Sequence, residues 1–393
     1  VRVVTSDDLA FIGIFSVMTA LLAAYVWLRV VHTPRLEGRL RRVVTRVIVT
    51  ASLSMPGALI VARTLPRPWD RLLQLPVYVW VGLVVVGFFL CLGAEPLRIG
   101  QRAFSLVGRL FGKPPDEERR LFFARALAAG IGGADLVLST AGVAFALGAL
   151  QVERTPIRLR RFPSALDGFR IVQLTDVHIG PTLGGEWLRA VVEQVNALAP
   201  DLVVITGDLV DGSVEHIGPD LAPLAALTAP HGVFFVTGNH EYYAGADAWI
   251  EELARLGVRT LRNERVTIGG EDGFELAGVD DWGAKRRLSH HGADLEKALR
   301  DWDGTREVVL LAHQPKQAPE AIERGVGLVL SGHTHGGQIF PWGLFVRLDQ
   351  PYLRGLSKVG ETHVYVSRGA GYWGPPMRIG SMPEIAVLEL ERA

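Results

Sequence analysis

The chain has 393 residues, with 41 basic and 41 acidic side chains and therefore no formal net charge, so no strong field draws it toward nucleic acid or an acidic surface. Its length leaves room for two or three domains at ~150 residues each, and its single cysteine, Cys91, excludes an intramolecular disulfide and a thiolate metal site. The hydrophobic fraction, 49%, is concentrated before residue 151, while most His, Asp and Asn residues follow it.

The chain opens on Val1, which suggests a non-AUG start or a trimmed chain. Four segments are then apolar over the ~20 residues that cross a bilayer. Residues 9–31 carry no charge before Arg29, and residues 43–65 hold Arg46, Pro56 and Arg63. Residues 75–94 contain the uncharged run Val77–Leu92, and residues 126–150 are interrupted only by Asp135. A soluble helix keeps a polar stripe, and the first and third segments have none. Residues 1–151 therefore read as an all-α membrane domain of four transmembrane helices. The first segment resembles a signal peptide in length, but three spans follow it and no small-residue cleavage site stands out, which favours an anchor.

Flanking charge sets the orientation. The connections after the first and third spans carry thirteen Arg and Lys residues, against eight in the N-terminus, the second connection and the segment after the fourth span. That asymmetry predicts a multi-pass cell-membrane protein whose C-terminal domain is extracytoplasmic; the cluster Arg154, Arg158, Arg160 and Arg161 pulls the other way. Asp135, close to Gly132 and Gly133, reads as a helix-end residue at the interface rather than a functional intramembrane carboxylate.

Residues 152–169, punctuated by Pro156 and Pro163, read as a basic linker. From residue 170 to 393, apolar strands alternate with helical patterns, the mark of an α/β domain. Arg170–Thr175 is a strand ending in Asp176-Val-His178. Trp187, Leu188, Val191, Val192, Val195 and Leu198 form a helical stripe. Leu202–Thr206 ends in Gly207-Asp208, Val233–Val236 in Thr-Gly238-Asn239-His240, Val308–Ala312 in His313, and Leu328–Leu330 in Ser-Gly332-His333-Thr-His335. Strand C-termini of an α/β sheet meet at one edge, where ligands bind. Oxygen and imidazole donors gathered there suit borderline-to-hard divalent ions. Seven donors exceed the needs of one ion and point to two sharing a bridging carboxylate.

These motifs, in this order, resemble the series that defines the calcineurin-like metallophosphoesterases, over about residues 168–393. FPSALDGFRIVQLTDVHIG before the site and GHTHGGQI after it are similar to the membrane-associated subgroup, which includes transmembrane proteins with a metallophosphoesterase domain and UDP-2,3-diacylglucosamine pyrophosphatase-like enzymes. The resemblance implies an αββα sandwich following the membrane domain. It implies one metal on Asp176, His178, Asp208 and His335, and a second on Asp208, Asn239, His313 and His333. Manganese is the first expectation, with iron, zinc or magnesium also fitting. It further implies that His240 acts on the leaving-group oxygen and that Asp211 orients it; Asp211 has an alternative as an ordinary helix N-cap. Arg368, in a glycine-rich turn after the apparent strand Thr362–Ser367, is either a phosphate clamp or a turn residue. The adjacent His290 and His291 read as solvated surface.

The function expected is hydrolysis of a phosphoester or pyrophosphate bond by a metal-bridging hydroxide. The membrane half suggests a bilayer partner and a phosphorylated, lipid-linked substrate: UDP-2,3-diacylglucosamine-like, a phospholipid or a cell-wall phosphodiester. Two alternatives are a non-catalytic metal-binding scaffold or receptor, and a transporter with an accessory hydrolase. The intact ligand series disfavours the first, and the scarcity of intramembrane polar residues disfavours the second.

Overall fold

The computed structural model describes residues 6–111 and 116–393. Arg2 and Lys113, two of the charges behind the expected orientation, lie outside the described residues. The chain divides into two compact units, one reaching Ala144 and also holding Gly374–Met377, the other comprising Phe145–Trp373 and Arg378–Ala393.

The first unit is helical: α1 Ser6–Trp27, α2 Gly38–Thr64, α3 Trp69–Gly93, α4 Glu95–Leu110 and α5 Glu117–Leu147. Among the described residues, four helical stretches are long and apolar enough to cross a membrane: Leu9–His32, Gly38–Thr64, Trp69–Leu110 and Glu117–Leu147. Their large apolar side chains point outward as well as inward; Leu21, Leu53 and Val137 are all exposed, the reverse of a water-soluble helix. Pro56 and Pro76 lie inside α2 and α3, as helices packed in a bilayer tolerate.

The third connection contains a helix of its own: Glu95–Leu110 forms α4, with Arg98, Gln101, Arg102, Ser105 and Arg109 at helical spacing and Leu97, Phe104 and Leu110 exposed. One expectation needs correction here. Asp135 is not at a helix end, because the polar stretch from Glu117 begins α5 well before it. Its carboxylate accepts from Ser139 Oγ at 3.2 Å and packs where Gly87 leaves space on α3.

The second unit holds β1 Gln151–Leu159, β2 Phe169–Leu174, α6 Gly185–Ala197, β3 Leu202–Thr206, α7 Val214–Leu221, β4 Val233–Val236, α8 Asn239–Ala244, α9 Ala246–Arg255 and β5 Arg259–Thr260. There follow β6 Glu264–Ile268, β7 Phe274–Gly278, α10 Leu295–Ala298, β8 Val308–Leu311, α11 Ala318–Glu323, β9 Leu328–Ser331, α12 Gly343–Val346, β10 Gly355–Val359, β11 Thr362–Val366 and β12 Glu384–Arg392. Among the described residues these strands make two six-stranded sheets, ordered β1-β12-β2-β3-β4-β5 and β10-β11-β9-β8-β7-β6. The segment expected as a linker thus contains β1, paired parallel with β12. Pro156 is compatible with it because β1 is an edge strand.

Side chains alternate along the strands, so each sheet has two apolar faces. In β3, Leu202 and Val204 pack with Leu276, Val309 and Leu330 of the other sheet, while Val203 and Ile205 pack with Leu188, Val191 and Val195 of α6. Val308, Leu310 and Val329 face Ala318 and Ala321 of α11. The result is the expected helix–sheet–sheet–helix sandwich. Each fully buried Val or Leu contributes roughly 1.5–3 kcal/mol, which makes the sheets a rigid frame for the loops at their ends.

Candidate metal centre

β2, β3 and β4 run parallel in one sheet, and β8 and β9 run parallel in the other. Their C-terminal loops meet. Gln173 Nε2 of β2 donates to Ser331 O of β9 at 3.0 Å, and His313 Nδ1, just past β8, lies 2.7 Å from Thr206 O of β3. Immediately beyond the strands the backbone turns into the left-handed region at Asp176 (φ 51°), His178 (52°), Asp208 (51°), His333 (69°) and His335 (49°). Such a conformation costs about 1 kcal/mol or more per non-glycine residue, so five of them consume a sizeable part of a domain's net ~5–15 kcal/mol. Gly332 belongs to the same device: a Cβ there would lie 2.1 Å from Thr175 Oγ1 and 2.3 Å from Asp176 Oδ2.

Six of the seven predicted donors come together at this edge, in two groups. In the first, His178 Nε2 is 3.1 Å from His335 Nε2, which is 3.5 Å from Asp176 Oδ1. In the second, His313 Nε2 is 3.2 Å from both Asp208 Oδ2 and His333 Nδ1. Asp208 Oδ2 faces both groups, since it also lies 4.0 Å from His178 Nε2. Asn239, at the start of α8, has a buried side-chain oxygen with no hydrogen-bond partner. A buried acceptor without a partner is costly unless a cation completes it, and the donor set fits a pair of divalent ions.

The surrounding bonds set which imidazole nitrogen is available. Only N–H can face the Thr206 carbonyl, so His313 presents an unprotonated Nε2 when neutral; His178 is oriented alike by Asp211 Oδ1, 3.0 Å from its Nδ1. Outer carboxylates and carbonyls of this kind hold metal-binding histidines in place. Burial pushes His333 down to about 3, aided by His313, and holds His335 well below its usual range, so both stay neutral. His313 behaves oppositely: burial disfavours its charge, but Asp208 and Asp176 outweigh that and raise it to about 10. The carboxylates there favour positive charge, which a bound cation supplies in place of the proton.

Asp211 also holds His240, with Oδ1 2.6 Å from Nδ1, and the other ring nitrogen lies 3.9 Å from Asp208 Oδ2. Burial would depress His240, yet Asp208 and Asp211 raise it to about 9. The N-cap alternative for Asp211 does not hold, because the N-cap of α7 is Ser213. Arg368 is not a free clamp: Glu384 and Glu153 both take its guanidinium, and a guanidinium already held by two carboxylates has little left for phosphate. The histidine pair is only half surface. His291 is buried, bonded to Tyr242 Oη (3.0 Å) and Asp247 Oδ1 (2.9 Å), with His290 3.4 Å from the same carboxylate.

Two supporting residues carried no assigned role in the sequence reading. Glu241 accepts from the backbone N–H groups of Asp208 (3.1 Å), Leu209 (2.8 Å) and Gly238 (2.6 Å), locking two metal-site loops together. Burial and Asp208 raise its carboxyl to about 7. Its signal was the last letter of Gly-Asn-His-Glu. Arg378, fully buried, donates to the carbonyls of Arg368, Gly369, Gly371 and His335. Nothing in the local sequence around Arg378 announces that role.

Comparison with known proteins agrees with this geometry. The family model for calcineurin-like phosphoesterase matches residues 169–337, the stretch from β2 through His335. A transmembrane protein with metallophosphoesterase domain from Bos taurus is 36% identical over 387 residues, covering 94% of this chain and 86% of that protein. An uncharacterized metallophosphoesterase of Helicobacter pylori (strain J99) is 45% identical over 242 residues, 61% of this chain and 64% of its own length. The chain thus spans less than two thirds of that relative. Among solved structures, the 5'-nucleotidase precursor from Thermus thermophilus is 18% identical, with a TM-score of 0.36 over 56% of this chain and 54% of its own. With the motif order, the strand-end geometry and a relative aligned along nearly the whole chain in agreement, the protein belongs to the calcineurin-like phosphoesterase family.

Proposed function

We propose that the protein is a membrane-anchored, metal-dependent phosphoesterase that hydrolyses a phosphoester or pyrophosphate bond of a lipid-linked substrate. The observation that carries the reading is the convergence of six donors from four strand ends on two groups that Asp208 faces. Asp176, His178, Asp208 and His335 would hold one ion, and Asp208, Asn239, His313 and His333 the other. Two divalent cations, manganese in the first instance, supply the positive charge that activates water and neutralises the phosphate oxygens.

The chain's own residues do the rest. His240 delivers a proton to the leaving-group oxygen, or steadies the charge that develops there. Asp211 fixes its tautomer and favours its cationic form, while the same carboxylate oxygen orients His178. Tyr243 and Trp373 pack against His240, with ring centroids 5.2 and 6.2 Å away, and both are exposed. They offer an apolar wall on the leaving-group side.

Support for a lipid-linked substrate comes from the segment just after His335. Phe340, Trp342, Leu344, Phe345 and Leu348 are all exposed, Leu348 by 85%. A run of exposed apolar side chains beside a polar site marks an interaction surface, and the same chain carries four candidate membrane spans. The excess of basic residues in the first and third connections supports an extracytoplasmic catalytic domain.

The test is hydrolysis by the full chain in detergent with Mn²⁺, using aryl phosphomonoester and phosphodiester reporters and a membrane lipid extract. Wild type should release phosphate or a phosphorylated headgroup, and Asp208→Asn and His240→Ala should each lose at least about 100-fold. A protein that binds two metal ions yet hydrolyses nothing would be a scaffold or receptor instead. Protease accessibility in intact cells reads the sidedness.

A further inference from the structure

The helical unit has an open cavity of about 1060 Å³ at the end of the bundle where the first and third spans finish and α2 and α5 begin. Its walls carry seven arginines, Arg29, Arg35, Arg41, Arg98, Arg102, Arg109 and Arg120, against one acidic side chain, Glu37. Two further carboxylates neutralise part of this charge. Glu95 pairs with Arg29 and Arg98, each at 2.8 Å, and Glu117 pairs with Arg35 at 2.7 Å and Arg120 at 3.6 Å. Seven guanidinium groups thus face three carboxylates, an excess of four. Among the described residues, the side chains of Arg41, Arg102 and Arg109 have no hydrogen-bond or ion-pair partner.

α4 builds one wall. Its polar face, with Arg98, Gln101, Arg102, Ser105 and Arg109, lines the cavity, while Leu97, Phe104 and Leu110 are exposed. That is the pattern of a helix lying in a membrane interface. Apart from His32 and Thr33, the remaining lining is apolar, including Val31, Leu36, Leu121 and Leu127. Guanidinium forks match phosphate oxygens bidentately, and an apolar floor beneath them suits what a phosphate headgroup is attached to.

We propose that this cavity is a binding site for a phosphate-bearing anion, filled by the headgroup of an anionic phospholipid. It is separate from the metal centre, and it uses the two connections whose charge predicts the orientation of the chain. The competing account is that these arginines serve orientation alone.

The test uses the full chain in detergent, by native mass spectrometry and by titration with phosphatidylglycerol, phosphatidylcholine and inorganic phosphate. Wild type should bind phosphatidylglycerol with defined stoichiometry, at least tenfold more tightly than phosphatidylcholine. Arg102→Gln combined with Arg109→Gln should weaken that binding at least tenfold. Arg39→Gln combined with Arg42→Gln removes the same charge from the first connection outside the cavity, and should change binding less than twofold. Equal losses from the two pairs would overturn the proposal, as would equal affinity for the two lipids in the wild type, which needs no variant. Tight binding of inorganic phosphate that displaces phosphatidylglycerol would retain the anion site but overturn the lipid as its occupant.

Discussion

Asp211→Asn separates two accounts of the region around His240. One carboxylate oxygen, Oδ1, lies 2.6 Å from His240 Nδ1 and 3.0 Å from His178 Nδ1. Asparagine keeps the shape and one acceptor but removes the charge. A hydrogen bond to a charged group contributes about 1.5–3 kcal/mol and a neutral one about 0.5–1.5, so each histidine loses roughly 1–1.5 kcal/mol of support. At His178 this should lower metal affinity by about tenfold, the lower end of the usual effect of an outer partner. At His240 it should lower kcat by about tenfold even with both metals bound. The assays are metal content and Mn²⁺ titration by calorimetry, then kinetics at saturating Mn²⁺, with thermal unfolding as control. A structural cap would show the reverse, about 1 kcal/mol of stability lost with kinetics intact. Wild-type metal affinity together with a kcat within twofold of wild type would refute the reasoning.

Other expected outcomes follow from the same geometry. Gly332→Ala forces a methyl into Thr175 and Asp176 and should cost about 1–3 kcal/mol in metal-free thermal unfolding, with weaker metal binding. Arg378→Met leaves the carbonyls of Arg368, Gly369, Gly371 and His335 without their buried donor; a loss of about 3–5 kcal/mol in denaturant unfolding is expected. Chelation should abolish hydrolysis and lower the Tm, and Mn²⁺ at 100 times its Kd should restore about 2.7 kcal/mol per site. Leu344→Asp with Phe345→Asp should leave stability within about 0.5 kcal/mol, because both side chains are exposed. The same pair should depress hydrolysis of a lipid-linked substrate but not of a soluble aryl ester.

Much of the candidate site was legible because strand C-termini meet at one edge: a donor directly after an apolar run already has an address. Asp176, Asp208 and His313 were readable in that way. Arg368 was not, because its partners Glu153 and Glu384 come from β1 and β12 at opposite ends of the domain's sequence. β1 itself was missed because two prolines and four arginines resemble a linker until β12 supplies a pairing partner. α4 differs: its helical period is local and present in the sequence, but its basic residues line up into one face only when Arg98, Gln101, Arg102, Ser105 and Arg109 are wound at 3.6 residues per turn. His291 looked like half of a surface pair, and only the packing of α8 and α9 beside it brings Tyr242 and Asp247 within bonding distance.

By itself, the sequence determined the division into an apolar helical half and an α/β half, the strand order of the ligand motifs and the residue types available to a metal. These are properties of composition and short-range period, written within a few residues of one another. Tertiary structure alone decided that Asp208 faces both donor groups, that Asp211 serves His178 and His240 with one oxygen, and that Arg378 secures the loops around His335. Each of those depends on where distant segments meet, and no local pattern encodes a distance between them.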